Sequence, residues 1–252
     1  ERDARYNMSY TFGTRLVQGV VVNRPNRFIM NVLIGKRKTL ERCHCPCTGQ
    51  IGPLEFSNIP CLLSKGDARS RRSTRFTVEA IGLHTDPRSS EPQWCGINQT
   101  RANRYIESLF KLGTLDDVVE EASKLVLKRE VTVNGSKLDF QLGSSTFVEV
   151  KSPMTHMADE SHPNYKHVSG DQRSHEVSER LIRHYHALAD AKGTRVVLLV
   201  FQYDAPVFLP QFAIESQSQR LLVQLTKVRD ALRRARQKGV RTWQVNLRGD
   251  NE

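Results

Sequence analysis

No run of 18 uninterrupted apolar residues occurs in the 252-residue chain, so the sequence holds no candidate transmembrane helix and no membrane partner is expected. Cysteine is scarce and odd in number, five in all, which excludes the paired framework of a small secreted disulfide protein. No signal peptide is recognisable, and the first residue is Glu1 rather than Met. The expectation is an intracellular protein, of the cytoplasm or nucleoid or, as a processed precursor, of the mitochondrial matrix. Acidic residues are in deficit: 38 Lys and Arg stand against 27 Asp and Glu, a net charge of +11. The resulting pI of about 9.7 points to a polyanionic partner, the alternative being a solvated basic surface. A hydrophobic content of 38% with 26% charged residues suits a globular chain of one large or two medium domains.

No convincing helical pattern precedes residue 99. Residues 1–13 are polar and read as a tail. Residues 15–22, 27–34 and 75–83 read as short strands separated by Pro- and Gly-bearing turns, the pattern of a small β-barrel over 14–97. Within it, Cys43-His44-Cys45-Pro46-Cys47-Thr48-Gly49 has the residue types of a zinc site but not a second, distant ligand pair. A tight structural turn is therefore preferred over zinc. The basic stretch 65–75, with Lys65, Arg71 and Arg72, is either a phosphate-contacting loop or a solvated one.

Residues 98–112 read as a linking helix with Ile106, Leu109 and Phe110 on one side. Thr114 opens a second helical pattern, with Leu115, Val118, Val119 and Ala122 spaced i, i+3, i+4, i+7. Three strand patterns follow at 125–133, 136–142 and 146–151. Asn134-Gly135 is a strong hairpin signal because both residues tolerate positive φ, and Gly143-Ser144-Ser145 makes the next turn.

Turn lengths set the register. A two-residue turn at Asn134-Gly135 places Glu130 opposite Asp139, and a three-residue turn at residues 143–145 places Asp139 opposite Glu149. Glu130, Asp139 and Glu149 then form one row, with Lys151 on the same face. Three carboxylates in a row repel unless a cation sits among them, and hard divalent ions take oxygen ligands. Asp139 and Glu149 are therefore candidate ligands of Mg²⁺ or Mn²⁺, with Glu130 assisting and Lys151 positioned to orient the attacking water. The spacing of Asp139 to Glu149-Val150-Lys151 resembles the PD-(D/E)XK nuclease motif.

Residues 153–174 are polar and carry His156, His162 and His167, which follow no metal-ligand spacing, so a mobile active-site loop is expected. A helix over 173–191, with Val177, Leu181, Tyr185 and Leu188 inward, leads to a continuous apolar strand at 194–202, buried on both faces. A long basic helix at 215–238 is stopped by Gly239, and residues 241–247 make a last strand. The second half thus reads as a mixed α/β sheet flanked by helices.

Arg27-Phe28, His44-Cys45-Pro46 with Thr48-Gly49, Gly66-Asp67, Asn98, Ala102-Asn103-Arg104, Glu130-Val131, Asp139-Phe140 and Glu149-Val150-Lys151-Ser152, in this order, resemble the sugar fermentation stimulation protein family (SfsA). The likeness runs over about residues 24–247. It implies a mixed α/β chain: an N-terminal OB-like β-barrel, then a restriction-endonuclease-like (PD-(D/E)XK) domain over 113–252, with nucleic-acid binding. The expected nucleic-acid contacts are Arg27, Lys65, Arg71, Arg72, Arg104, Lys137 and Arg173. The chain departs from the family at Cys47, where Asn is usual, at Lys137, where Arg is usual, and at His162-Pro163-Asn164-Tyr165. The leading expectation is a metal-dependent nuclease-fold protein acting on DNA or RNA. The alternatives are a non-catalytic nucleic-acid-binding subunit of a ribonucleoprotein or assembly, and a transcriptional regulator.

Overall fold

The computed structural model describes residues 15–66, 73–85, 92–154, 157, 164–165, 178–205, 207–208 and 219–247. Arg71, Arg72, Arg173 and the histidine-bearing positions 156, 162 and 167 lie outside them. Among the described residues no helix is long and apolar enough to cross a membrane.

The first half is an OB-like closed barrel. Strands β1 (Val17–Asn26), β2 (Ile29–Ile34), β3 (Thr39–His44), β4 (Pro60–Lys65) and β5 (Phe76–Thr85) lie in the order β3-β2-β1-β4-β5. The ring closes where His44 of β3 meets Thr77 of β5 in parallel, and β6 (Pro92–Gly96) extends the sheet beyond β5. Alternation puts Val21, Met30, Val32, Cys43 and Val78 inside. Gly19 is dictated by packing, since a Cβ there would stand 2.6 Å from Val32 Cγ1.

All five cysteines are buried and free. Those of the Cys43–Cys47 run belong to a buried apolar cluster with the barrel residues Val21, Met30 and Leu63. The turn after β3 is held by Arg24, whose Nη2 donates to the carbonyls of Cys47 (2.7 Å) and Gly49 (3.0 Å).

The second half is a five-stranded sheet in the order β11-β10-β9-β8-β7. Strands β7 (Leu127–Val133), β8 (Ser136–Leu142) and β9 (Thr146–Lys151) are antiparallel neighbours, while β10 (Thr194–Phe201) and β11 (Arg241–Asn246) run parallel to β9. Val133 pairs with Ser136 and Leu142 with Thr146, the register expected from the two turns. Asn134 (φ 46°) and Gly135 (φ 76°) adopt the left-handed conformation that such a turn needs.

Helix α1 (Gln99–Lys111) covers one face of the sheet, where Ala102, Ile106 and Phe110 meet Phe140, Val148, Val150 and Leu198. Helices α2 (Glu179–Asp190) and α3 (Gln219–Gln237) cover the other. There Leu181, Tyr185, Leu188, Val228 and Ala235 join Val197, Leu199 and Phe201 in one contiguous cluster with the barrel residues Val21, Met30, Leu63 and Ile81. Ser178 caps α2 by accepting from the Leu181 N–H at 3.0 Å. Gly239 (φ 84°) ends α3, with Val240 N–H donating to Ala235 O and Gly239 N–H to Arg236 O, the paired bonds of a Schellman end.

The helix expected from Thr114 does not form. The chain turns repeatedly over 113–121 and makes a single 3₁₀ turn, Ala122–Lys124. Gly113 (φ 76°) closes α1, and Glu121 (φ 52°) breaks the α-helical path before the 3₁₀ turn. The Asp116 carboxylate accepts from both the N–H (2.9 Å) and the hydroxyl (2.7 Å) of Ser123, which closes the segment as a loop. Leu115, Val118, Val119 and Ala122 are nevertheless all buried.

Candidate functional site

Strand β8 changes layers at Asp139. Leu138 packs into the cluster shared with the barrel, whereas Phe140 and Leu142 pack under α1. The β8–β9 ladder reaches Phe140↔Val148. At the next position the Asp139 side chain replaces the backbone partner: its Oδ2 accepts the Val150 N–H at 2.8 Å. Oδ1 accepts from Asn103 Nδ2 of α1, also at 2.8 Å.

Glu149 is almost fully buried, at 1% exposure. Its Oε1 accepts from both Lys151 Nζ and His184 Nδ1. A carboxylate only accepts, so the proton of His184 is on Nδ1. Arg180 Nε donates to the other ring nitrogen at 3.5 Å, in keeping with that tautomer. The second oxygen of Glu149, Oε2, is buried and accepts no hydrogen bond. An orphaned carboxylate oxygen in a protein interior is rare and costly.

The two carboxylates differ in acidity. Burial raises the Asp139 carboxyl above the usual aspartate range and the Glu149 charge adds to that, while the Val150, Asn103 and Lys151 contacts offset it in part. Burial also works against ionised Glu149, but the His184 hydrogen bond and the Lys151 charge outweigh it and leave the group below the usual glutamate range. The hydroxyl of Tyr185 is pushed well up, first by burial and then by the Glu149 charge.

A raised folded-state pKa means that ionised Asp139 opposes folding at neutral pH. Its contribution is favourable below the ordinary aspartate range and is lost as pH rises through the folded pKa. Asp139→Asn is therefore expected to raise the urea midpoint at pH 7, and the gain should vanish on acidification below about pH 4. Equal midpoints at pH 7 would contradict the assignment.

Glu130 does not join the row. Its φ of 56° interrupts the β7–β8 ladder between Arg129↔Phe140 and Val131↔Leu138. The side chain is 69% exposed and pairs with Lys137 Nζ at 2.7 Å. A residue in this conformation turns its Cβ away from the ordinary strand direction, which removes Glu130 from Asp139 and Glu149. Lys137 is exposed in the same pair. Arg27, in the β1–β2 turn, is exposed with its guanidinium 4.7 Å above the Phe28 ring. Lys65 is exposed at the end of β4, and Arg104 on α1 beside Asn103.

Neither His184 nor Asn103 is among the site residues expected from the sequence, although Asn103 lies in the Ala102-Asn103-Arg104 motif of the resemblance and His184 falls on the inward stripe of Leu181, Tyr185 and Leu188. Among the described residues no trio of His, Cys, Asp and Glu is arranged to hold a metal ion. What remains for a cation is the Asp139–Glu149 pair. Its orphaned Oε2 and hard oxygen donors fit Mg²⁺ or Mn²⁺, since Mg²⁺ commonly takes one or two carboxylates and completes its shell with water and substrate phosphate.

The family description "SfsA N-terminal OB domain" matches residues 22–96. A sugar fermentation stimulation protein homolog of Natranaerobius thermophilus is 26% identical over 222 residues, 86% of this chain and 85% of that protein. The homolog of Picosynechococcus sp. is 29% identical over 144 residues, so the match spans about half of each chain, 54%. Among solved structures, that of Pyrococcus furiosus SfsA in complex with Ca²⁺ superposes with a TM-score of 0.65 at 18% identity, covering 95% of this chain and 91% of that one. The chain is thus similar to the sugar fermentation stimulation proteins, matching their N-terminal OB domain over residues 22–96 and sharing the fold of the Pyrococcus furiosus member.

Proposed function

We propose that this protein binds nucleic acid and hydrolyses its phosphodiester bonds with the help of Mg²⁺ or Mn²⁺. The observation that carries the reading is the buried, unpartnered Oε2 of Glu149 beside the desolvated carboxylate of Asp139, with Lys151 at hand. Asp139 and Glu149 would hold the ion, which when bound supplies Lewis acidity to the phosphate and makes water more acidic. Lys151 brings a positive charge to the place where a phosphate would gain negative charge in the transition state. His184 fixes the Glu149 carboxylate, and Asn103 that of Asp139. The Ca²⁺ of the Pyrococcus furiosus structure belongs to the same class of hard, oxygen-seeking ion. Exposed Arg27, Lys65, Arg104 and Lys137, with the net charge of +11, would meet the phosphate backbone.

A second reading is a non-catalytic nucleic-acid-binding subunit, such as part of a ribonucleoprotein. It is favoured by the fact that Lys151 and His184 already relieve the charge of Glu149 without a metal.

Single- and double-stranded DNA and RNA, each incubated with and without Mn²⁺, separate the two. Cleavage only with Mn²⁺, and Mn²⁺ heats in calorimetry that disappear in Asp139→Asn, are expected. Binding should weaken with salt, with log K falling by roughly 0.9 per phosphate contact on duplex DNA for each unit of log salt. An affinity indifferent to salt would remove the electrostatic argument, and metal-independent binding without cleavage would leave the second reading.

A further inference from the structure

Helix α1 is fastened at its first turn to a buried carboxylate of the barrel. Glu79 of β5, with a side chain only 3% exposed, receives four hydrogen bonds. Ser64 Oγ of β4 donates to Oε1 at 2.5 Å, and Asn98 Nδ2 to Oε2 at 2.7 Å. Arg101 closes a two-pronged pair, Nε to Oε2 at 2.8 Å and Nη2 to Oε1 at 3.0 Å. Asn98 stands at the helix N-cap, yet its side chain makes no capping bond to the helix backbone: Nδ2 donates to Glu79, and Oδ1 accepts from the Thr100 hydroxyl at 2.6 Å. Its carbonyl accepts from Gln202 at 3.1 Å, and Gln99 Nε2 donates to the carbonyl of Ser152, just past β9, at 3.3 Å.

Two residues beyond Arg101, Asn103 reaches Asp139. On an α-helix this step is about 3 Å along the axis and about 200° around it, so the barrel carboxylate and the site carboxylate flank the same turn. No flexible link separates them. Ionised Asp139 offers only lone pairs, so the Asn103 amide must present its NH₂. Asp139 is then gripped by two donors from different elements, Asn103 on Oδ1 and the Val150 N–H on Oδ2, which fix the plane of the carboxylate. Each oxygen keeps a further lone pair for a cation. Groups that orient metal-binding side chains from behind act in this way.

We propose that Asn103 is a positioning residue that orients the Asp139 carboxylate, and that the Glu79–Arg101 pair of the barrel holds α1 at the depth from which Asn103 reaches it. The inference rests on the metal-site reading above for its catalytic consequence. The barrel thereby sets the geometry of a carboxylate on the far side of the helix.

Amide hydrogen exchange of Val150 in the metal-free protein, followed by NMR, tests this without nucleic acid or ion. In Asn103→Leu, which keeps the shape and removes the donor, Asp139 loses one grip, and Val150 exchange should accelerate at least about tenfold. The amide of Leu198 on β10 should stay as in wild type. Asn103→Ser, too short to reach, should behave alike and serves if the leucine variant folds poorly. Arg101→Met should accelerate Val150 in the same direction. Mn²⁺ affinity should fall about tenfold to a hundredfold in the Asn103 variants. Unchanged Val150 exchange in both Asn103 variants overturns the positioning role, and an effect in those but not in Arg101→Met overturns the barrel anchor. Failure of the nuclease reading would appear instead as absent Mn²⁺ binding in wild type, with the Val150 response intact.

Discussion

Replacing Lys151 by alanine is expected to lower phosphodiester cleavage by roughly 10² to 10³, the usual loss when one preorganised contact to developing charge is removed. On the proposed reading the ammonium group is needed more in the transition state than in the ground state, so the loss should fall on kcat. Folding will not be untouched. Lys151 Nζ is one of two donors to the buried Oε1 of Glu149, and its removal leaves His184 alone to hold that charge. Hydrogen bonds to charged groups contribute about 1.5–3 kcal/mol, so the variant should unfold at lower urea while remaining native in buffer. Single-turnover kinetics beside urea titration separates the two effects. A variant as fast as wild type would sink the assignment of β9 as the active strand. If wild type and variant are both inactive and bind nucleic acid alike, the non-catalytic reading holds.

The largest loss of stability is expected from Glu79→Ala. Arg101, only 20% exposed, would lose its carboxylate, and the donors of Ser64 and Asn98 would lose their acceptor in the interior. Removing one partner of a buried ion pair destabilises by about 3–5 kcal/mol. For a chain of this size that is a fall in Tm of roughly 10 °C. The pair Lys111–Glu107, four residues apart on α1 with Lys111 at the surface, is the control: Lys111→Ala should cost about 0.5 kcal/mol or less. A drop below about 1 kcal/mol for Glu79→Ala would mean that the pair does not anchor the helix.

The hairpins were legible because their turns carry their own chemistry. Asn134-Gly135 and Gly143 to Ser145 dictate register locally, and that register runs up to Phe140↔Val148, the pair next to Asp139 and Glu149. Glu130 escaped because nothing in an alternating pattern announces a left-handed, non-glycine residue inside a strand. The segment after Thr114 shows a different limit. Apolar spacing reports which side chains are buried, and it did so correctly for Leu115, Val118, Val119 and Ala122, but it does not report where the backbone hydrogen bonds go. The Asp116–Ser123 contacts made the choice there. His184 and Asn103 lie on helices 35 and 36 residues from the carboxylates they hold, so only long-range packing brings them in. Even so, a histidine on an otherwise apolar helical stripe was a visible signal.

The apolar cluster shared by the barrel and the α2–α3 face has a consequence for synthesis on the ribosome. The barrel strands end at Gly96, but Val228, Ala231, Ala235 and Val240, which belong to the same cluster, emerge roughly 130 to 145 residues later. At about 5–20 residues per second that is an interval of roughly 7 to 30 seconds. Through it the nascent barrel carries an uncovered apolar flank. A ribosome stalled between the two halves would release an aggregation-prone fragment, and slow codons placed there would lower the yield of native protein.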